Sequence, residues 1–310
     1  MSIAISVVIC TRDRCESLKK TLLSLYQQEG GVAFSVIVVD NNSTDKTKQV
    51  VEELMSKFTG HLRYVFEAST GISFTRNKGI REAKGEIIAF TDDDCLIDPK
   101  WISSIYGCFQ KYHCDAMGGK ILAIYPEKTP DWVKDNLDIL CGPIVYHDHG
   151  DETKLYEKSM REFVGANIAF KRSIFDECGY FRTDLGAGRG VMGEDTEYFK
   201  RMIQNGKKIY YCGQAVVHHP LVLSRTRLSY IRKWNIQIAK YRFIDDEGGK
   251  IDQNLTYYFG IPRYLIKSII LTALSLPLKI FNRRSFLKAW IQLSQKIGRM
   301  AEIRKKYKCE

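Results

Sequence analysis

"IIAFTDDDCLIDPKWI", residues 87–102, sets the reading of the chain. An apolar run ends abruptly in Asp92, Asp93 and Asp94, and Pro99 opens the next helical pattern. This is the signature of a buried strand with carboxylates crowded at its C-terminal end. Like charges placed side by side repel, and a hard divalent cation among them relieves the repulsion. Mg²⁺ and Mn²⁺ take oxygen ligands, usually one or two carboxylates with substrate phosphates supplying the rest. In an extended segment residues i and i+2 point the same way, so Asp92 and Asp94 can share one ligand. A solvated acidic turn is the plain alternative.

Outward from this stretch, strand and helix alternate. Residues 3–11, 34–40 ("FSVIVVD"), 62–67 ("LRYVFE") and 86–91 ("EIIAFT") read as strands. Helical spacing covers residues 16–28, a segment after the capping "NNSTDKT", then 71–84 and 99–112. Such alternation predicts a parallel sheet with crossover helices on both faces. Three strands end in polar clusters, at residues 11–14, 40–42 and 92–94. Open parallel sheets bind ligands at their carboxyl ends, so these clusters can line one crevice. Asp40 before "NNST" reads equally well as a helix cap.

The second half is less regular. Residues 116–124 read as strand and 126–151 as loop-rich, with Pro130, Trp132 and Pro143. "FVGANIAF" (163–170) is a strand, 172–178 a short helix, "LGAGRGVMG" (185–193) a glycine-rich loop and 194–206 a helix. "KKIYYC" and "AVVHH" read as two short strands, and from Arg227 the pattern is helical to the end. The expected domains are therefore 1–222, split into a nucleotide-binding half (1–115) and an acceptor half (116–222), and a basic helical extension, 223–310.

Composition narrows the classes. With 310 residues, 45% hydrophobic and 12% aromatic, the chain can bury a sizeable core and is not disordered. The net charge of +11 is concentrated: residues 220–310 hold 19 Lys and Arg against 6 Asp and Glu, while the preceding 219 hold 28 against 30. A basic tail calls for an anionic partner. Its Leu and Ile content favours an anionic membrane surface over nucleic acid. The longest uncharged run there, residues 268–278, has 11 residues, well short of the ~20 of a spanning helix. Nine cysteines without a CxxC pair read as reduced thiols in a cytoplasmic compartment, and the N-terminus reads as a first strand rather than a signal peptide.

Several blocks together carry a resemblance. "SVVICTRDR" (6–14), "VIVVDNNSTDKT" (36–47), "GISFTRNKGIREAKGEIIAFTDDDC" (71–95), "FVGANIAFKRSIFDECGYF" (163–181), "GAGRGVMGEDTEYFKRM" (186–202) and "AVVHHP" (215–220) follow one another in the order found in glycosyltransferase family 2. The chain resembles these inverting enzymes of the GT-A fold from about Ser6 to Pro220. Its tail is similar to the helical extension of many bacterial polysaccharide-type members. The resemblance implies a mixed central sheet flanked by helices and a nucleotide-sugar donor, most naturally a UDP-sugar. It also implies Mg²⁺ or Mn²⁺ as cofactor and a glycan or lipid-linked acceptor in cell-surface polysaccharide or glycolipid synthesis.

Residue by residue, the resemblance makes Asp94 a metal ligand, Asp92 a metal or ribose ligand and Asp93 an outward spacer. His219 becomes a third metal or diphosphate ligand. Asp40 would accept the N3–H of uracil. Thr11, Arg14, Asn42, Arg76, Asn77 and Asn167 would contact the nucleotide-sugar. Asp195 would be the base for the acceptor hydroxyl, with Glu194 orienting the acceptor, although acidic residues also simply complement a helix N-terminus. Cys95 stands where many members carry a further aspartate. Arg225 and Arg227 are candidates to clamp the diphosphate, and Trp132 to pack in the core or stack on a sugar. Two other classes compete: a nucleotidyltransferase, which would show a glycine-rich loop after strand one where this chain has "CTRDRCES", and a non-catalytic nucleotide-sugar or lipid binder, which would not need both carboxylate motifs. A hydride-transferring dinucleotide enzyme lacks its GxGxxG here.

Overall fold

In the computed structural model, which describes residues 3–157, 160–188, 192–245, 252 and 254–308, the β-branched run at the N-terminus forms β1 (Ile5–Thr11). It is followed by α1 (Cys15–Tyr26), β2 (Phe34–Asp40), α2 (Thr47–Met55), β3 (Leu62–Phe66), α3 (Ile72–Glu82), β4 (Ile87–Asp92), β5 (Leu96–Ile97) and α4 (Trp101–Tyr112). The second half continues with β6 (Ala116–Ile124), α5 (Asp131–Lys134), α6 (Leu137–Ile144), β7 (Thr153–Leu155), β8 (Asn167–Lys171), α7 (Ile174–Glu177), α8 (Glu194–Gln204) and β9 (Ile209–Pro220). The tail comprises α9 (Leu228–Asp245), a small hairpin of β10 (Tyr257–Tyr258) and β11 (Ile261–Pro262), α10 (Arg263–Ser275) and α11 (Arg283–Tyr307).

Nine strands form the main sheet, in the order β3-β2-β1-β4-β8-β6-β9-β5, with β7 also on β9. The β3-β2-β1-β4 half is parallel, as the alternation predicts. β8 then runs antiparallel to both β4 and β6, and β9 returns parallel to β6, so the sheet as a whole is mixed. Alternate residues of one strand feed opposite faces: Val7 and Ile9 join a core with Leu18, Leu22 and Trp101, while Val8 joins another with Phe90, Phe170 and Tyr198. Full burial of each such aliphatic side chain contributes about 1.5–3 kcal/mol.

Three local readings are corrected. The 126–151 stretch holds two short helices, α5 and α6, the second with Pro143 near its end. "KKIYYC" and "AVVHH" belong to one long strand, β9: the pairing jumps from Gly119↔Cys212 to Lys120↔Val216, so Gly213 lies in a bulge and does not end the strand. The strand in "FVGANIAF" starts only at Asn167. Part of the glycine-rich loop, residues 189–191, lies outside the described residues.

The chain divides into two compact units. One comprises Met1–Ile124, Val145–Gly190 and Glu194–Pro220 and holds the main sheet. The other comprises Tyr125–Ile144, Val191–Gly193 and Leu221–Glu310. Residues 125–144 thus group with the helical tail. Within that unit Arg284 pairs with Asp138 at 2.5 Å, Arg283 lies over Trp132, and the Trp290 indole donates to the Leu228 carbonyl.

Candidate active site

The parallel register sets the polar strand ends abreast: Thr11 is level with Asp40, and Cys10 with Asp92. Thr11 Oγ1 donates to Asp93 Oδ2 at 2.8 Å. Arg14 Nη1 donates to Asp93 Oδ1 at 3.0 Å and to Asp94 Oδ2 at 2.8 Å. Asp93 is therefore not the outward spacer of the sequence reading. β4 ends at Asp92 and a turn follows, so strand alternation no longer applies and Asp93 folds inward onto Thr11 and Arg14. Burial pushes its carboxyl up to about 6, while Arg14 and Thr11 pull it back.

β5 pairs antiparallel with β9, Leu96 opposite His218, and this brings His219 to the aspartate turn. Asp92, Asp94 and His219 each offer a ligand atom, all within 4.8 Å of one another. His219 Nε2 is 3.3 Å from Asp94 Oδ1, a buried oxygen with no hydrogen-bond partner. Burial and the Asp94 charge push the Asp92 carboxyl above its ordinary value, and His219, Arg76 and Arg14 oppose this. Two carboxylates and an imidazole form a donor set suited to a small divalent cation, and the unpartnered Asp94 oxygen fits a ligand of one. Cys95, fully buried beside them, packs in the core.

Asp40 is almost wholly buried. Its Oδ1 accepts from the Ser43 N–H at 2.9 Å and its Oδ2 from the Tyr64 hydroxyl at 2.7 Å. Asn42, at φ +65, donates to the carbonyls of Glu67 and Ala68. The neighbouring Asn41 donates to Glu67 and Ser69 and accepts from Gly71 N–H. These amides tie the β2 turn to the approach of α3, an arrangement that the sequence reading does not contain.

α8 begins with Glu194 and Asp195. Asp195 Oδ2 accepts from Gly165 N–H at 2.9 Å and Oδ1 from Thr196 N–H at 2.8 Å. Burial and the adjacent Glu194 push Asp195 up to about 6, against the pull of Arg76 and of the two backbone donors. Arg76 Nη1 donates to Glu194 Oε1 at 2.7 Å in a buried pair. The guanidinium lies over the Phe181 ring and so close to Gly165 that an added Cβ there would fall 2.0 Å from Nη2. Gly186, at φ +101, is equally confined: a Cβ would meet Ile72 at 2.5 Å and the Glu194 carboxylate at 3.1 Å. The Arg76 charge lowers both the Asp195 and the Asp92 carboxyl.

Two sequence candidates have their amides engaged within the protein. Asn77 exchanges both amide groups with the Phe181 backbone, at 2.8 and 3.0 Å, and so holds α3. Asn167 donates to the carbonyls of Lys120 and Ala215 and accepts from the Trp101 indole, so its amide pins three elements together inside the sheet. A short polar side chain in a strand looks the same in sequence whether it meets a ligand or a neighbouring backbone. Arg225 and Arg227 lie in the helical unit, in and just after the 3₁₀ turn Leu223–Thr226.

The chain thus presents a mixed α/β sheet with an Asp-x-Asp turn and a histidine at its strand ends, and a Glu-Asp pair opening α8. Residues 6–179 match the model of glycosyl transferase family 2, and the chain belongs to that family. Among curated relatives, it is 27% identical over 235 residues to the glucosyl-dolichyl phosphate glucuronosyltransferase of Haloferax volcanii, covering 73% of this chain and 72% of that one. It is 26% identical to the succinoglycan biosynthesis protein ExoM of Rhizobium meliloti, covering 74% and 71%. Among solved structures, the mannosyltransferase PcManGT of Pyrobaculum calidifontis, in complex with GDP-Man and Mn²⁺, superposes with a TM-score of 0.63 at 18% identity, over 97% of this chain and 87% of that one. S. aureus TarS 1–349 with UDP-GlcNAc gives 0.58 at 16% identity, over 99% and 92%. The fold is GT-A, and the protein is a glycosyltransferase.

Proposed function

We propose that the protein transfers a sugar from a nucleoside diphosphate sugar, most naturally a UDP-sugar, to an acceptor hydroxyl with inversion at the anomeric carbon. The observation behind this reading is the cluster of Asp92, Asp94 and His219, whose ligand atoms lie within 4.8 Å of one another; the acidic pair Glu194 and Asp195, tied to Arg76 through Glu194, supplies the second carboxylate centre. Asp92, Asp94 and His219 would hold Mg²⁺ or Mn²⁺, which when bound supplies positive charge to the leaving diphosphate. Arg14, half-exposed beside Asp94, keeps the aspartates neutralised.

Asp195 accepts the proton of the acceptor hydroxyl as that oxygen bonds to the anomeric carbon and the bond to the diphosphate oxygen breaks. A carboxylate lifted to about 6 is still ionised at neutral pH and is a better base than an ordinary one. The two backbone N–H donors fix its direction, and Glu194, held by Arg76, receives a second acceptor hydroxyl. Asp40 reads the base N3–H with the lone pairs that Ser43 and Tyr64 leave. Thr11 and Asn42 shape the donor-side turn.

The names of the curated relatives, one acting on a dolichyl phosphate-linked sugar and one in succinoglycan biosynthesis, support a lipid-linked or polysaccharide acceptor. Such an acceptor is met at the cytoplasmic face of the membrane, which fits a peripheral enzyme. No helix among the described residues is long and apolar enough to cross a membrane. The test is a panel of nucleotide-sugars with purified protein and Mn²⁺ or Mg²⁺, read as nucleoside diphosphate release. Release from one or a few UDP-sugars is expected; no release from any donor, with or without added lipid-linked glycan, contradicts the proposal.

A further inference from the structure

α10 packs Leu265 into an apolar cluster with Phe243 and Ile303, yet it also exposes large apolar side chains. Its buried face carries Leu265 and Thr272, and polar atoms are engaged there: Lys296 Nζ donates to Thr272 Oγ1 at 2.6 Å and approaches the Ser268 carbonyl. Its exposed face is a stripe at helical spacing, Lys267, Leu271 and Leu274, continued past the helix end by Leu278, Ile280 and Phe281. These apolar residues are 56, 67, 84, 63 and 99% exposed, among the highest values for large hydrophobic side chains in the chain. Isolated exposed leucines need no explanation, but this many exposed large apolar side chains along one helix and the turn after it do. From Arg263 to Arg284 the sequence contains five basic residues and no acidic one. Arg263, Lys267 and Arg283 are exposed. Arg284 is paired with Asp138, and Arg283 lies over the Trp132 ring while still exposed.

We propose that this face of α10 and the turn that follows it is an interfacial docking element for an anionic lipid bilayer. Leu271, Leu274, Leu278, Ile280 and Phe281 sink into the headgroup–acyl boundary, and Arg263, Lys267, Lys279 and Arg283 meet lipid phosphates around them. Apolar side chains and cations on one exposed surface are what an anionic membrane recognises, whereas a soluble protein partner with an apolar patch would leave the cations unmatched. The element is too short to span, so the helix lies in the plane of the interface. The proposal adds to the functional reading above a place for the acceptor, but the docking itself stands without that reading.

The experiment uses the full chain and vesicles of phosphatidylcholine with or without phosphatidylglycerol, at low and high salt, read by co-sedimentation. Nucleoside diphosphate release and circular dichroism are measured on the same preparations. Binding to the anionic vesicles is expected, weaker at high salt and weaker still on neutral vesicles. The combined Leu274→Ser, Leu278→Ser and Phe281→Ser variant loses at least about tenfold in partitioning. Arg263→Gln and Lys267→Gln each lose about fivefold at low salt. All keep the wild-type spectrum, because these side chains support no core. The proposal is overturned if the wild type stays in the supernatant with anionic vesicles at low salt, or if the triple serine variant binds undiminished. It is also overturned if the stripe instead drives a vesicle-independent dimer in sedimentation velocity that the triple variant abolishes. A wild-type chain that releases nucleotide but does not bind anionic vesicles removes the docking element and leaves the transferase reading; one that binds vesicles but releases no nucleotide does the opposite.

Discussion

His219 Nε2 faces Asp94 Oδ1 at 3.3 Å, while Nδ1 of the same ring sits 3.0 Å from the Pro220 carbonyl oxygen. A carbonyl only accepts, so Nδ1 carries the hydrogen. In the neutral ring Nε2 is then a bare lone pair pointing at a carboxylate lone pair. That contact is unfavourable unless a cation lies between them, either a proton on the ring or a metal. A backbone carbonyl fixing one imidazole nitrogen so that the other can ligate is the usual support of a metal-binding histidine.

Metal removal follows from this contact. With excess EDTA, nucleoside diphosphate release should fall to background and return on adding Mn²⁺ or Mg²⁺. Asp94→Asn and His219→Ala should each raise the Mn²⁺ concentration needed for half-maximal activity by about 10-fold or more, with unchanged far-UV spectra. Full turnover in EDTA would remove the metal assignment.

The pH dependence follows from Asp195. A base must be ionised, and burial with Glu194 has raised this carboxyl to about 6. Activity should therefore be full at neutral pH and fall as pH drops through about 6, well above the range of an ordinary aspartate. Arg76 holds the value down, so Arg76→Met should move the acid limb of the kcat/KM profile to higher pH. The same change leaves Glu194 buried without its partner, a loss of about 3–5 kcal/mol in unfolding free energy. Arg76→Lys, which keeps the charge, should shift the limb less. A limb that stays put in both variants would separate Arg76 from the base.

Base recognition rests on Asp40. Its oxygens keep lone pairs beyond those taken by Ser43 and Tyr64, and uracil N3–H is the matching donor. UDP should bind more tightly than CDP or ADP in calorimetry. Equal or reversed affinities would remove Asp40 as reader and leave it as the pin of the β2 turn.

The parallel half of the sheet was legible because β1, β2 and β4 are buried on both faces and read as unbroken apolar runs, with amphipathic helices between them. Asp92, Asp94 and His219 were legible only as separate fragments; the β5–β9 pairing that unites them is a contact between distant segments. Asp93 was misread because the two-residue alternation was carried one residue past the end of β4. α5 and α6 were missed because Pro130 and Pro143 read as breakers, yet Pro130 precedes α5 and Pro143 falls near the end of α6. The bonds of Asn77 and Asn167 to backbone and indole were not legible because nothing local distinguishes an amide that binds the protein from one that binds a sugar.

The most direct test of the chemistry is Asp195→Asn, followed by paired measurement of sugar transfer and donor affinity. The asparagine keeps the shape and can still accept from Gly165 N–H, but it cannot take a proton. Transfer should drop by ~10²–10⁴ while the dissociation constant for the nucleotide-sugar stays within a few fold. If transfer survives, or if donor affinity collapses with it, Asp195 is not the base and the proposed division of labour between the two carboxylate centres is wrong.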